Sequence, residues 1–258
     1  MTAVPALPAA TVVIARTIVD DGFEVFLIKR HREAGFMAGA HVFPGGRVDD
    51  DDTGFDKDRF AVCAIRETYE ETGVLLARPE SGIPLTTNDA IVALSARLAS
   101  GMSFVEAMGS VGLLPDTDAL QSIGWWITPE AEPRRYDTRF FFAVVPPLQR
   151  HTATPDGTEV VEGDWFTPAG ALAAYAAGTI NLSPPTLVTL EEMAPLKLSQ
   201  VRTHSWPRRA VRPTLTEVDG EVVLALPGDA LHDIKDAVWP HRTRIISDAN
   251  NRLRSAIV

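Results

Sequence analysis

Arg66-Glu67-Thr68-Tyr69-Glu70-Glu71 concentrates three carboxylates beside one guanidinium. On an α-helix, positions 67, 70 and 71 stand at i, i+3 and i+4 and share one face. Like charges at that spacing repel, and a divalent cation turns the repulsion into coordination. Mg²⁺ or Mn²⁺ takes hard oxygen ligands, completes its shell with water and substrate phosphate, and lowers the pKa of a bound water. The bland alternative is a solvated helix face. Three neighbouring features favour chemistry over it. Pro44-Gly45-Gly46 lies upstream, and paired glycines let backbone approach a metal or a phosphate. Arg66 can orient a carboxylate by a bidentate pair, and Gly73 closes the helix just after the acidic run. The residues therefore point to a divalent-metal-dependent pyrophosphatase.

The helix that must carry this cluster is readable from 57 to 76, where Phe60, Ala61, Ala64 and Ile65 mark an apolar face. Upstream, the β-branched run 11–19 reads as a strand that pairs with 23–28 across Asp20-Asp21-Gly22. Lys29-Arg30-His31-Arg32 forms a basic patch, 33–40 reads as loop, and 41–43 is a short strand stopped by Pro44-Gly45-Gly46. The stretch 78–120 is expected to be a helical insertion, with periodic segments at 89–98 and 104–108. Further strands are expected at 123–127, 140–145 and 160–166, and helices at 168–177 and 185–193, the last preceded by Ser183. Residues 215–226 read as a hairpin turning at Asp219-Gly220, and the last 30 residues show no clear pattern.

A length of 258 residues with 45% hydrophobic and 22% charged content is that of an ordinary globular protein. Net charge of -10 argues against general nucleic-acid binding, which needs clustered Lys and Arg. Cys63 is the single cysteine, so no internal disulfide forms. The first ten residues lack a basic segment followed by an apolar run, and no apolar stretch approaches the ~20 residues that span a bilayer. A cytoplasmic location and no membrane partner are expected.

Gly46 and Arg66-Glu67-Thr68-Tyr69-Glu70-Glu71-Thr72-Gly73-Val74 together resemble the Nudix box of the Nudix hydrolases. That pattern is a Gly, five residues, a Glu, seven residues, then Arg-Glu-aliphatic-x-Glu-Glu-x-Gly-aliphatic. Thr68 occupies an aliphatic slot, and counting back eight from Arg66 puts Asp58 where Glu is usual. Gly46 stands 20 residues before Arg66, where the pattern has 14, so six extra residues enter the loop that includes Asp49 to Asp52. Residues 35–46 with Asp49, 133–141 and the Pro184-Pro185 helix start are similar to the long Nudix subgroup that contains the peroxisomal coenzyme A diphosphatase.

The resemblance implies an α/β fold, a Nudix-like α/β/α sandwich with a mixed curved sheet. It implies one domain over 1–258: a core of about 8–195, the insertion 78–120 and a C-terminal extension 196–258. By resemblance Glu70 and Glu71 are ligands of Mg²⁺ or Mn²⁺, Glu67 is a ligand or the base, the Gly45 carbonyl is a further ligand, and Arg66 holds the cluster. A later acidic residue, Glu159 or Glu162, is expected to join them. The implied reaction is attack of water on the phosphoanhydride of a small nucleotide-type substrate, with coenzyme A or acyl-coenzyme A leading. ADP-ribose, a dinucleotide or a nucleoside triphosphate follows, and a catalytically silent nucleotide-binding module is the rival class. A homodimer is the expected assembly.

Arg30, Arg32, Arg134 and Arg135 could meet substrate phosphates with Gly46, or could serve as surface ion pairs. His31 and His41 suit Mg²⁺ poorly as ligands. Cys63 reads as a buried thiol, and Asp49 to Asp52 as a solvated loop or a second cation site. One of Trp125 and Trp126 should pack in the core, leaving the other for a base or a pocket wall.

Overall fold

The computed structural model describes residues 4–30, 39–55, 57–149, 160–248 and 252–257. The chain opens with β1 (Leu7–Thr17), whose Thr11-Val12-Val13-Ile14 run favours extended backbone. The expected strand end at Val19 is corrected: Asp20 and Asp21 take positive φ, and Val19 is left exposed in the turn. Next come β2 (Phe23–Arg30), β3 (His41–Val42) and β4 (Gly45–Arg47). Helix α1 (Arg59–Thr72) follows, shorter than the expected 57–76, because Asp58 caps its start and Gly73 ends it in the left-handed conformation.

The insertion consists of α2 (Asp89–Ala99) and α3 (Phe104–Ser110), the helices expected there. A two-stranded ladder of β5 (Ala77–Pro79) and β6 (Leu113–Pro115) closes its base, a pairing too short to see in sequence. Then follow β7 (Gln121–Ile127), β8 (Tyr136–Val144), β9 (Val160–Phe166), α4 (Pro168–Ala176) and α5 (Pro184–Met193). Ser183 caps α5, and its Oγ accepts the Thr186 N–H.

The main sheet runs β3-β2-β1-β8-β7, with β4 on the outer half of β1 and β9 beside β2. It is mixed, since β1 and β8 are parallel and the other pairs antiparallel. Alternation along β1 sends Ala10, Val12 and Ile14 into one core with Ile65 of α1, and Val13 and Ala15 into a second with Leu187 of α5. Helices thus cover both faces, giving the expected α/β/α sandwich.

The C-terminal extension contains the short helix α6 (Leu198–Val201) and a second, four-stranded antiparallel sheet. Its strands are β10 (Thr214–Val218), β11 (Glu221–Ala225), β12 (Arg244–Ser247) and β13 (Leu253–Ala256). Trp126 of β7 packs against Trp239 with ring centroids 5.8 Å apart, so one apolar core continues into the extension. Arg242 adds a polar clamp, donating to Glu191 at 2.7 Å and to Glu192 at 2.8 Å on α5. Among the described residues, no helix is long and apolar enough to cross a membrane.

Candidate active site

The limits of α1 decide which side chains face the cavity. Asp58 begins the helix, its Oδ1 accepting the Phe60 N–H at 3.0 Å. Gly73 ends it at φ 73°, with its N–H donating to the Tyr69 carbonyl. Thr68 fits an aliphatic slot because its hydroxyl donates to the Ala64 carbonyl at 2.6 Å, leaving the methyl to pack.

Arg66 is the hub. It is only 7% exposed. Its Nε and Nη2 donate to the two oxygens of Asp52 at 2.9 and 3.1 Å, and Nη2 also donates to the Arg47 carbonyl at 2.9 Å. Nη1 bridges Glu67 and Glu70, at 2.9 Å to each. Burial alone would lower the Arg66 pKa, but the surrounding carboxylates raise it well above its ordinary value.

This geometry corrects the reading of the loop. Asp58, expected in the acidic slot of the box, is a helix cap directed at Phe60. Asp52, read with its neighbours as solvated loop, is 1% exposed and grips Arg66 with both oxygens. Counting forward six residues from Gly46, as the pattern prescribes, lands on Asp52. The six extra residues therefore lie between Asp52 and α1, and counting back from Arg66 across them gave the wrong aspartate.

The Pro-Gly-Gly segment is more than a turn, because β4 begins at Gly45 and pairs with β1. Gly45 has φ 155°, and a Cβ there would lie 2.3 Å from the Ala10 carbonyl oxygen. At Gly46 a Cβ would lie 2.4 Å from the Glu67 carboxyl carbon. Gly45 is thus required for β4 to pair closely with β1, and Gly46 for the loop to lie against Glu67. Gly45 also donates its N–H to Glu71 Oε2 at 2.8 Å.

Glu67, Glu71, Gly45, Gly46 and Arg30 line one cavity of about 930 Å³. Burial pushes the Glu67 carboxyl up to about 7, Arg66 opposing and the Glu70 charge adding to the rise. Burial likewise raises Glu70, against the pull of Arg66. The carboxylates exceed what one guanidinium neutralises, which is the charge deficit a divalent cation would fill. The oxygen donors of Glu67, Glu70 and Glu71 suit Mg²⁺ or Mn²⁺, and Gly46 lets the Glu67 carboxylate pack against the loop. Among the described residues three potential ligands do not yet converge, since Arg66 stands between Glu67 and Glu70.

The remaining expected residues separate. Arg30 faces the cavity, and its buried Nε has no hydrogen-bond partner among the described residues. Arg135 is structural, donating to the carbonyls of Thr128 at 3.1 Å and Val4 at 2.6 Å. Arg134 is exposed and outside the cavity lining. Glu162 is also exposed, and it pairs with Lys29 at 2.8 Å, not with the α1 carboxylates. Glu159, Arg32, His31 and residues 35–38 lie outside the described residues. Cys63 is fully buried, its thiol donating to the Arg47 carbonyl at 3.2 Å, and burial raises its pKa far from the thiolate range. Trp126 both packs in the core and lines the cavity. Trp125 is instead covered by the Arg139 guanidinium, 3.4 Å from its ring centre.

The sequence matches the NUDT19 Nudix domain over residues 55–193 and the general NUDIX domain over 8–89. It is 28% identical to an acyl-coenzyme A diphosphatase NUDT19 of Gallus gallus, the match covering 81% of this chain and 73% of that one. It is 29% identical to the Homo sapiens protein of the same name, covering 82% and 73%. A solved Nudix hydrolase from Alicyclobacillus acidocaldarius superposes with TM-score 0.64 and 27% identity, covering 78% of this chain and 97% of that one. The chain belongs to the Nudix hydrolase superfamily, in the family of the NUDT19 Nudix domain, and is a pyrophosphatase.

Proposed function

We propose that the protein hydrolyses the phosphoanhydride of coenzyme A or an acyl-coenzyme A, with Mg²⁺ or Mn²⁺ held by Glu67, Glu70 and Glu71. The observation that carries the reading is the cavity that joins Glu67, Glu71, Gly45 and Gly46 to Arg30. Its volume of about 930 Å³ suits a ligand as large as a coenzyme A. Relatives named acyl-coenzyme A diphosphatase support the substrate class.

The bound cation supplies charge neutralisation of the diphosphate and a water of lowered pKa. Arg66 and Asp52 hold Glu67 and Glu70 in place. Gly46 lets the Glu67 carboxylate lie directly against the loop, and Gly45 fixes one oxygen of Glu71 through its N–H. Glu67 serves as a ligand or accepts the proton of the attacking water. Arg30 is placed to pair with a phosphate.

A product-resolved hydrolysis screen with Mg²⁺ and Mn²⁺ tests the reading. The panel holds coenzyme A, acyl-coenzyme A, ADP-ribose, NADH and nucleoside triphosphates. Release of 3′,5′-ADP with phosphopantetheine or its acyl form is the expected result. AMP from ADP-ribose or NADH as the dominant product would keep the chemistry and discard the substrate. Binding without turnover across the panel would overturn the catalytic reading.

A further inference from the structure

The cavity is asymmetric in a way the Nudix box does not explain. Its floor is one face of the main sheet. Arg47, Ala9, Thr138 and Trp126 are successive Cα partners across β4, β1, β8 and β7, and Gly45, Thr11 and Phe140 form the next row. Trp126 is thus three strand spacings from the carboxylate end, ~14 Å at ~4.8 Å per strand. A substrate whose diphosphate sits at Gly45 and Gly46 must lay an arm along this floor to reach it.

The two ends differ in chemistry. Toward β2 and β3 the lining includes Arg30, whose Nε is unpartnered among the described residues. Toward β7 it is built from Trp126 and Ile127, with Pro213 and Leu224 contributed by the C-terminal extension. Glu132, on the connection between β7 and β8, also faces the cavity and would repel a phosphate there. The start of α5 is part of the wall too, but it cannot act as an anion site. Pro184 and Pro185 remove two N–H donors, and Ser183 accepts the next two through Oγ and its carbonyl.

We propose that the substrate lies across the sheet with its phosphorylated nucleotide arm toward Arg30 and an acyl-bearing arm against the wall of Ile127, Pro213 and Leu224. The C-terminal extension is then a specificity element of the active site: it selects for an apolar acyl group on the pantetheine arm. This rests on the coenzyme A reading above and adds the orientation and the residues that set chain-length preference. Apolar surface buried against such a wall favours longer chains in proportion to the area removed from water.

The test is kcat/KM of the full-length protein for free coenzyme A, a short-chain and a long-chain acyl-coenzyme A, and 3′-dephospho-coenzyme A. Leu224→Trp, which fills the wall, should lower the ratio of long-chain to free coenzyme A by about tenfold. Leu224→Ala, which empties it, should lower the same ratio and covers the case in which the larger residue unfolds β11. Arg30→Gln should erase the preference for coenzyme A over its 3′-dephospho form while keeping the chain-length ratio. Proportional losses on every substrate in the Leu224 variants, or a chain-length effect from Arg30→Gln, would overturn the orientation. If the wild type hydrolyses ADP-ribose but no coenzyme A compound, the substrate reading itself fails. Those two failures are distinguished by the wild-type panel alone.

Discussion

Asp52 and Arg66 form a two-point ion pair, Oδ1 to Nε at 2.9 Å and Oδ2 to Nη2 at 3.1 Å, across a loop that the sequence lengthens by six residues. The pair leaves Nη1 as the only guanidinium nitrogen for Glu67 and Glu70. Asp52 therefore sets how much of Arg66's charge reaches the carboxylates.

Replacing the two candidate aspartates separates their roles. Asp52→Ala removes the two-point partner of a buried guanidinium that still keeps Glu67 and Glu70, so it should cost less than the about 3–5 kcal/mol of a buried charge left wholly unpaired. It also frees Arg66 to over-neutralise Glu67 and Glu70, so turnover should fall with stability. Asp58→Ala removes only a helix cap worth ~1 kcal/mol and should leave turnover near wild type. Urea unfolding and steady-state hydrolysis decide it, and the reverse ranking would return Asp58 to the acidic slot.

Gly46→Ala probes the clearance beside Glu67. A Cβ 2.4 Å from the carboxyl carbon must displace that side chain, with Arg66 holding it from the other side. Turnover should drop on the order of 100-fold, the scale of a misplaced catalytic group. The melting temperature should fall only modestly, because Glu67 is half-buried and can move outward. Undiminished turnover would show that Glu67 is not held where catalysis needs it.

Glu71→Gln keeps an acceptor for the Gly45 N–H but removes the charge. Hydrolysis should fall on the order of 100-fold with little change in the unliganded melting temperature. Mg²⁺ or Mn²⁺ should raise the melting temperature of the wild type, as any ligand of the native state does. The variant should lose most of that rise. A variant that hydrolyses normally, or that is still stabilised fully by the cation, would remove Glu71 from the ligand set.

The legible and illegible parts of the molecule divide by the range of the interactions that make them. Helix α1 was readable because its apolar face and the closing Gly73 act within a few turns, although the cap at Asp58 was missed. The strands β7 and β9 were readable from their β-branched and aromatic residues, whereas of β8 only the Phe140-Phe141-Phe142 half was read and its start at Tyr136 was missed. Asp52 was hidden by an insertion that breaks the spacing, although counting from Gly46 instead of Arg66 would have found it. Arg135 drew attention as a phosphate ligand, but its partners are carbonyls at Val4 and Thr128, and no local pattern announces them. The strands β12 and β13 have four residues each and owe their order to pairing and to the Trp126–Trp239 contact, both of them long-range. The contribution of Pro213 and Leu224 to the cavity follows from the same packing and could not be read from 196–258 alone.

The extension has its own buried ion pair, and its acid response should be measurable. Asp229 is fully buried, and Arg244 donates to its two oxygens at 2.7 and 2.9 Å. Burial would raise the Asp229 carboxyl, but the bonds from Arg244 and from the Leu231 N–H outweigh it and hold the carboxyl below its ordinary value of 3.8. A carboxyl depressed in the folded state stabilises fully above its unfolded value, and that stability disappears as pH falls through the folded one. Asp229→Asn should cost about 3 kcal/mol near neutrality, since it leaves Arg244 buried without a charged partner. Its gap from wild type should then narrow once the pH drops below about 4, because only the wild type has this contribution to lose. Denaturant titrations of both proteins between neutral and strongly acid pH measure the gap directly. A gap that stays constant into strong acid would mean the pair is not what links the extension's stability to proton uptake.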